Sequence, residues 1–217
     1  MTILIAAATP PEIEITKQFL ESSNFRINQH QLDILITGVG GISTTYSLTR
    51  SIQRQRPEYI IQAGIAGAFS NEIALGTTVC VREEIMGDLG AEEKNEFKDV
   101  FDLCLIKEND PPFTNKILKN PFLTERNSFG LPIVRSISIN EITTGKARID
   151  LFRRKFSPDI ESMEGAAFHY VCLCEKIPFI QIRAISNYVG ERTKDNWRIT
   201  LAIENLNSVV IDALRHL

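Results

Sequence analysis

This chain of 217 residues has no apolar run near the roughly 20 residues that a membrane-spanning helix needs. Its opening, MTILIAAATPPE, also lacks the basic first segment and the long apolar stretch of a secretory signal. A cytoplasmic protein with no membrane partner is therefore expected. Excess positive charge is missing as well. The formal net charge is −3, which offers no basic footprint for nucleic acid. The four cysteines, Cys80, Cys104, Cys172 and Cys174, form no CxxC pair and read as buried thiols. No cluster of histidine, cysteine and aspartate has metal-ligand spacing, and of the histidines His169 falls in mid-helix as a structural residue. No G-x-S-x-G elbow, repeat, linker or low-complexity segment is present. Hydrophobic content of 43% and charge of 24% are ordinary for a globular protein, and the length suits a single α/β domain over residues 1–217.

The richest stretch is Ile160–Gly190. Ile160–Met163 reads as a short strand, and Glu164-Gly165-Ala166-Ala167 opens a helix whose small residues let it lie close to a sheet. Phe168, Val171 and Cys172 make its inward face, and Ile177-Pro178 stops it. Phe179–Ile185 is the next strand, ending in the polar loop Ser186–Gly190. Ligands of open α/β sheets bind beyond the carboxyl ends of strands, where Glu164 and Asn187 both fall.

Thr2–Ala8 has the continuous apolar pattern of a doubly buried strand, followed by a helix to about Glu21. Thr9 and Glu12 spell a capping box with prolines in the first turn, which accounts for both residues structurally. The same glutamate stands on the ligand side of the first strand. Gln31–Thr37 is a second strand, and Gly38-Val39-Gly40-Gly41 turns from it into a helix over 42–55. Those glycines serve equally as a tight turn or as a place where backbone N–H groups meet a ligand. As a dinucleotide fingerprint the turn fails, because Ser43 replaces the third glycine. Tyr59–Ala63 is a strand, Gly64-Ile65-Ala66-Gly67-Ala68 a second small-residue turn, and Thr77–Arg82 a fourth strand.

Further on, Val100–Ile106 reads as a strand, Phe113–Leu118 as a short helix and residues 120–130 as a loop. Leu131–Ile139 is a strand, and a basic helix covers Ala147–Phe156. The last helix, Asp195–Leu217, carries the stripe Ile199, Ile203, Leu206, Val210, Ala213 and Leu217. Strands alternating with helices predict a three-layer α/β/α sandwich.

Several segments together resemble the nucleoside phosphorylase and nucleosidase superfamily: Ala8–Glu12, Gly38–Gly41, QAGIAGA from Gln62, Gly76–Val81, MEGAA from Met163 and RAISN from Arg183. The run GDLGAE from Gly87, MEG in place of MEA, and SNYVGERTKDNW from Ser186 are most similar to its futalosine hydrolase branch. The resemblance implies a nucleoside phosphorylase-like fold with a central mixed, twisted sheet, a homodimer and no cofactor or metal. The implied reaction is hydrolysis of the N-glycosidic bond of futalosine to hypoxanthine and dehypoxanthine futalosine, a step of menaquinone biosynthesis.

By that likeness Glu164 holds the ribose 2′- and 3′-hydroxyls, a task for which a carboxylate has two acceptor oxygens. Met163 packs on the sugar face, and Glu12 activates the attacking water, held ionised by Arg183. The small-residue stretches contribute Gly40, Gly64, Ile65 and Ala66 to substrate binding, and Ser186 joins them. Two departures from the methylthioadenosine/adenosylhomocysteine nucleosidase branch bear on specificity. Asn187 replaces an aspartate; its NH₂ offers donors that match the acceptors N7 and O6 of a 6-oxopurine rather than the amino group of adenine. Ile65 replaces a serine and makes that end of the site more apolar. A phosphorylase needs cationic donors near the sugar, whereas Ala8–Glu12 supplies an anion, so hydrolysis is favoured. A non-catalytic nucleoside-binding protein is the reading from another class, and a dinucleotide-dependent enzyme is more distant.

Overall fold

The computed structural model describes residues 1–94, 96–124 and 128–217, with Lys194 described by its backbone. Among the described residues, eleven strands and five α-helices follow one another as β1 (Thr2–Ala7), α1 (Pro10–Ser22), β2 (Arg26–Ile27), β3 (His30–Ile36), α2 (Gly41–Arg54), β4 (Tyr59–Ala68), β5 (Thr78–Met86), β6 (Gly90–Glu93), β7 (Glu96–Asp99), β8 (Leu118–Lys119), β9 (Ile133–Ser138), α3 (Lys146–Phe156), β10 (Ile160–Ser162), α4 (Gly165–Glu175), β11 (Phe179–Tyr188) and α5 (Ile199–His216).

The central sheet is mixed and runs in the order β10-β9-β5-β11-β4-β1-β3-β2, with β8 against β5. β1, β3, β4 and β11 are mutually parallel where they pair, and β5 joins β11 antiparallel. β10 bonds both β9 and the far end of β4, so one half of the sheet curls closed on itself. Period-two alternation builds the layers. Ile3, Ile5, Ile61, Ile180 and Ile182 face α1 and α5 on one side. Leu4, Ile60 and Phe179 face α2 and α4 on the other, among Leu48, Phe168, Val171 and Cys172. The expected three layers are present.

Four expectations need correction. Gly64–Ala68 is no turn: β4 runs straight through it, because the small residues make room for side chains of neighbouring strands rather than for a bend. β11 likewise continues through Ser186 and Asn187, with a bulge at Ser186 between the pairs Ile185–Ala66 and Asn187–Gly67. Val100–Ile106 is a series of turns, since Asp99 Oδ1 accepts the N–H groups of Phe101 and Asp102 and diverts the backbone from a ladder. Phe113–Leu118 is no helix, because Asn115 and Lys116 take positive φ and Asn109 Oδ1 captures the Asn115 N–H. In the expected loop over 120–130, residues 125–127 lie outside the described residues.

Two smaller differences complete the comparison. α5 starts at Ile199 after a short 3₁₀ turn, and its buried stripe is Ala202, Leu206, Asn207, Val210, Ala213 and Leu214, leaving Ile199 exposed. Of the cysteines, Cys80 and Cys172 are buried as expected, but Cys104 and Cys174 are exposed. No helix among the described residues is long and apolar enough to cross a membrane.

Candidate active site

A cavity of about 330 Å³ opens beyond the carboxyl ends of β1, β4 and β11. Its lining brings together Glu12, Ile65, Ala66, Met163, Glu164, Ser186 and Asn187 of the sequence-based candidates. Gly40, Gly64 and Arg183 stand immediately behind that lining and fix its polar groups.

Glu12 makes the cap that its motif spells and also reaches the cavity. Oε2 accepts the Thr9 N–H at 2.9 Å and the Thr9 hydroxyl at 2.8 Å, closing the capping box of α1. Oε1 faces the cavity and accepts the Ile65 N–H at 3.2 Å. One carboxylate therefore starts a helix with one oxygen and sets the other at the cavity.

Glu164 occupies the N-cap position of α4 but makes no side-chain cap bond. Instead Oε1 accepts the Gly40 N–H at 3.1 Å, and Oε2 pairs with Arg183 Nη1 at 3.3 Å. Gly40 itself takes φ +85°, so the turn before α2 needs its glycine for conformation and uses its N–H to hold the carboxylate. The turn reading is borne out, and the N–H meets a side chain of the protein itself.

Arg183 was expected beside Glu12. Its ion pair is with Glu164 instead, and Nη1 also approaches the Ile65 carbonyl at 3.4 Å. A Cβ on Gly64 would collide with Nη1 and stand 3.1 Å from Glu12 Oε1, so both side chains use the space that this glycine leaves. The guanidinium is 1% exposed, and its Nε and Nη2 find no partner among the described residues. A buried cation with so few partners is costly to the fold.

Asn187 lies opposite Gly67 after the bulge. The Ser186 hydroxyl donates to Asn187 Oδ1 at 2.8 Å, and the acceptor-only carbonyl of Tyr188 marks Nδ2 as the donor end. One Nδ2 hydrogen goes to the Tyr188 carbonyl at 3.2 Å, leaving the other for a ligand.

A family model described as "Phosphorylase superfamily" matches residues 3–217. The chain belongs to that superfamily. Among relatives of known name, a futalosine hydrolase of Thermus thermophilus is 29% identical over 178 residues, 81% of this chain and 78% of the relative. A 5'-methylthioadenosine/S-adenosylhomocysteine nucleosidase of Geobacillus is 25% identical over 213 residues, 89% of this chain and 88% of the relative. The solved futalosine hydrolase of Helicobacter pylori superposes with a TM-score of 0.81 at 14% identity, covering 100% of this chain and 98% of that one, a likeness of fold.

Three residues in or behind the cavity are not among the sequence-based candidates. Trp197 lines the cavity from the turn before α5, and Glu161 lines it from β10. Glu84 lies behind it, fully buried on β5. Gln181 Nε2 donates to Glu84 Oε1 at 2.8 Å and the Ser138 hydroxyl to Oε2 at 2.9 Å, while Ser138 Oγ accepts the Ala166 N–H at 2.7 Å. Burial pushes the Glu84 carboxyl above its ordinary value, against the opposing pull of Gln181 and Arg183. A Cβ on Gly165 would strike Glu84, so the glycine of the MEG run is a signal of this hidden carboxylate. His169 is also fully buried; desolvation lowers it to about 3, and it stays neutral with Nδ1 at 3.0 Å from the Leu118 carbonyl.

Proposed function

We propose that this protein hydrolyses the N-glycosidic bond of futalosine, releasing hypoxanthine. The observation that carries this reading is the pair of carboxylates, Glu12 and Glu164, facing one cavity from different elements with Asn187 across it. Glu164, held by Gly40 N–H and Arg183, takes the ribose diol and stabilises the cationic sugar that forms as the bond breaks. Glu12 Oε1 takes the proton of the attacking water. Asn187 Nδ2 donates to the acceptor edge of a 6-oxopurine. The names of the Thermus thermophilus relative and of the Streptomyces coelicolor relative, 28% identical over 97% of this chain, support futalosine as substrate.

Futalosine also has a bulky carboxyphenyl arm. A second cavity of about 870 Å³ adjoins the first through Ile139 and Met163, and Arg50 is the one cation among its lining residues. That cavity takes the arm, with Arg50 as counter-ion to its carboxylate. Around its rim Ile42 is 88% exposed and Tyr46 64%, an apolar face fit for a second copy of the chain in a homodimer.

The deciding assay is incubation with futalosine and with inosine, each with and without phosphate, and detection of hypoxanthine. Release from futalosine independent of phosphate is expected. Dependence on phosphate would make the protein a phosphorylase, and no release from either would leave a nucleoside-binding protein.

A further inference from the structure

Purines leave poorly as anions, so breaking the glycosidic bond is helped by a proton delivered to the base. Asn187 supplies a hydrogen bond but no transferable proton. Across Gly67 from it stands a group that does. Residue 67 of β4 pairs with Asn187 on one side and with Glu161 of β10 on the other. A Cβ on Gly67 would lie 3.2 Å from Asn187 Nδ2 and 3.6 Å from Glu161 Cγ, so the two side chains converge over this glycine. Glu161 is 6% exposed and lines the same cavity as Glu12, Glu164 and Asn187. Its Oε1 accepts the Thr143 N–H at 3.3 Å, whereas Oε2 is buried with no partner among the described residues. An unsatisfied carboxyl oxygen in a pocket is costly unless it carries a proton or meets a ligand.

We propose that Glu161 is the proton donor to the departing purine. This rests on the nucleosidase reading above and deepens it. Burial raises the Glu161 carboxyl to about 6, against the hydrogen bonding of Thr143 and the field of Arg148, so about a tenth of it keeps its proton at pH 7, where an ordinary glutamate keeps almost none. Arg148 on α3 is the charged group whose field reaches it, and it is itself engaged by Asp88 and Glu141. Ile137 of β9, Gly67 of β4 and Asn187 of β11, which flank it, carry no charge. In the reaction the C1′–N9 bond breaks and its electron pair passes to the purine ring. The Glu161 proton moves to the ring nitrogen N7, water adds its oxygen to C1′, and the water proton goes to Glu12. Glu161 ends ionised and Glu12 protonated, and exchange with solvent restores both.

The test is the pH profile of kcat for hypoxanthine release in the parent and in Glu161→Gln, which keeps the acceptor for Thr143. The parent should lose activity on the alkaline side as Glu161 ionises. In the variant this alkaline limb should vanish and kcat at acid pH should fall by about 10²–10⁴, with KM changed by less than about threefold. A folded variant with parental kcat and an intact alkaline limb overturns the assignment and leaves Glu161 as an anchor for Thr143. Should the variant fail to fold, the parent profile decides, because kcat without an alkaline limb overturns the assignment as well. A parent that releases no hypoxanthine overturns the nucleosidase reading and this assignment with it, whereas release by a parent indifferent to Glu161 overturns the assignment alone.

Discussion

Asp99, Asp102, Lys116 and Lys155 form one charged cluster, and Glu12, Glu84, Glu164 and Arg183 form another, yet the two are assembled on opposite principles. In the first, Lys116 and Lys155 meet Asp99 and Asp102, with Glu108 also on Lys116, and every pair has at least one member that reaches water. Burial raises Asp102, but the hydrogen bonds from Lys116 and Lys155 outweigh it and hold the carboxyl well below its ordinary range. These contacts tie the β6–β7 hairpin and the turns after it to α3. In the second, Arg183 pairs with Glu164 while Glu12 and Glu84 lie nearby, all four are buried, and most partners of the carboxyl groups are backbone N–H groups, hydroxyls and amides. Charge paired where water reaches it fastens a segment at little cost, whereas charge buried with few partners is held at a cost in stability.

The sharpest way to break this contrast is to neutralise the dry cluster. Glu164→Gln keeps shape but removes the anion that favours the cationic sugar, and Glu12→Gln removes the base while preserving the capping box. Each should lower turnover by about 10²–10⁴ with a smaller change in KM, measured as hypoxanthine release by folded variants. If either retains near-parental turnover, the cluster is structural after all.

Next in size is Asn187→Asp. An ionised aspartate faces the acceptors of hypoxanthine with acceptors of its own, so the ratio of kcat/KM for futalosine over its adenine analogue should fall about ten- to hundredfold, in line with about 1–3 kcal/mol per unpaired group. Part of the loss should return at lower pH as the carboxyl regains a proton. An unmoved ratio would place base choice elsewhere.

A smaller and opposite pair of effects lies in stability against pH. His169 is neutral in the fold, so its contribution is complete above its ordinary value of 6.5 and is lost as pH falls from there toward about 3. Glu84 is raised, so its contribution is lost as pH climbs above its ordinary 4.5. Each limb has a slope of at most about 1.4 kcal/mol per pH unit. Urea midpoints across pH should show the acid limb flattened in His169→Asn and the upper limb flattened in Glu84→Gln; parallel curves would mean that neither group is linked to folding. Last, Lys116→Ala in the wet cluster should cost no more than about 1 kcal/mol, shrink further in high salt, and leave hypoxanthine release alone.

Much of this arrangement is legible in the sequence, for reasons that differ by residue. Strand and helix periodicity places β1, α1, β3, α2, α4 and the first part of β11 within a residue or two, because each buries an apolar face that the pattern advertises. Glu12, Glu164 and Asn187 are readable as polar residues at strand ends. Small residues misled, because Gly64 and Gly67 look like turn formers but are gaps left for Arg183, Glu12 and Asn187. Glu84 and Glu161 were invisible because each sits in a strand, where a carboxylate is ordinarily assigned to a solvated face; only the fold shows that both faces are covered. The stretch after Asp99 misread for a local reason, its backbone being claimed by the side chains of Asp99 and Asn109.

The double duty of Glu12 carries a lesson about descent. A lineage that abandoned the reaction would still be under selection to begin α1 properly, and would keep a glutamate at that place for the sake of its first turn. Glu164 caps no helix with its side chain, yet losing it would strand the buried Arg183 without its ion pair, at a cost of about 3–5 kcal/mol. Either glutamate would thus outlast the chemistry for the sake of the fold, and its presence in a descendant would not testify to activity.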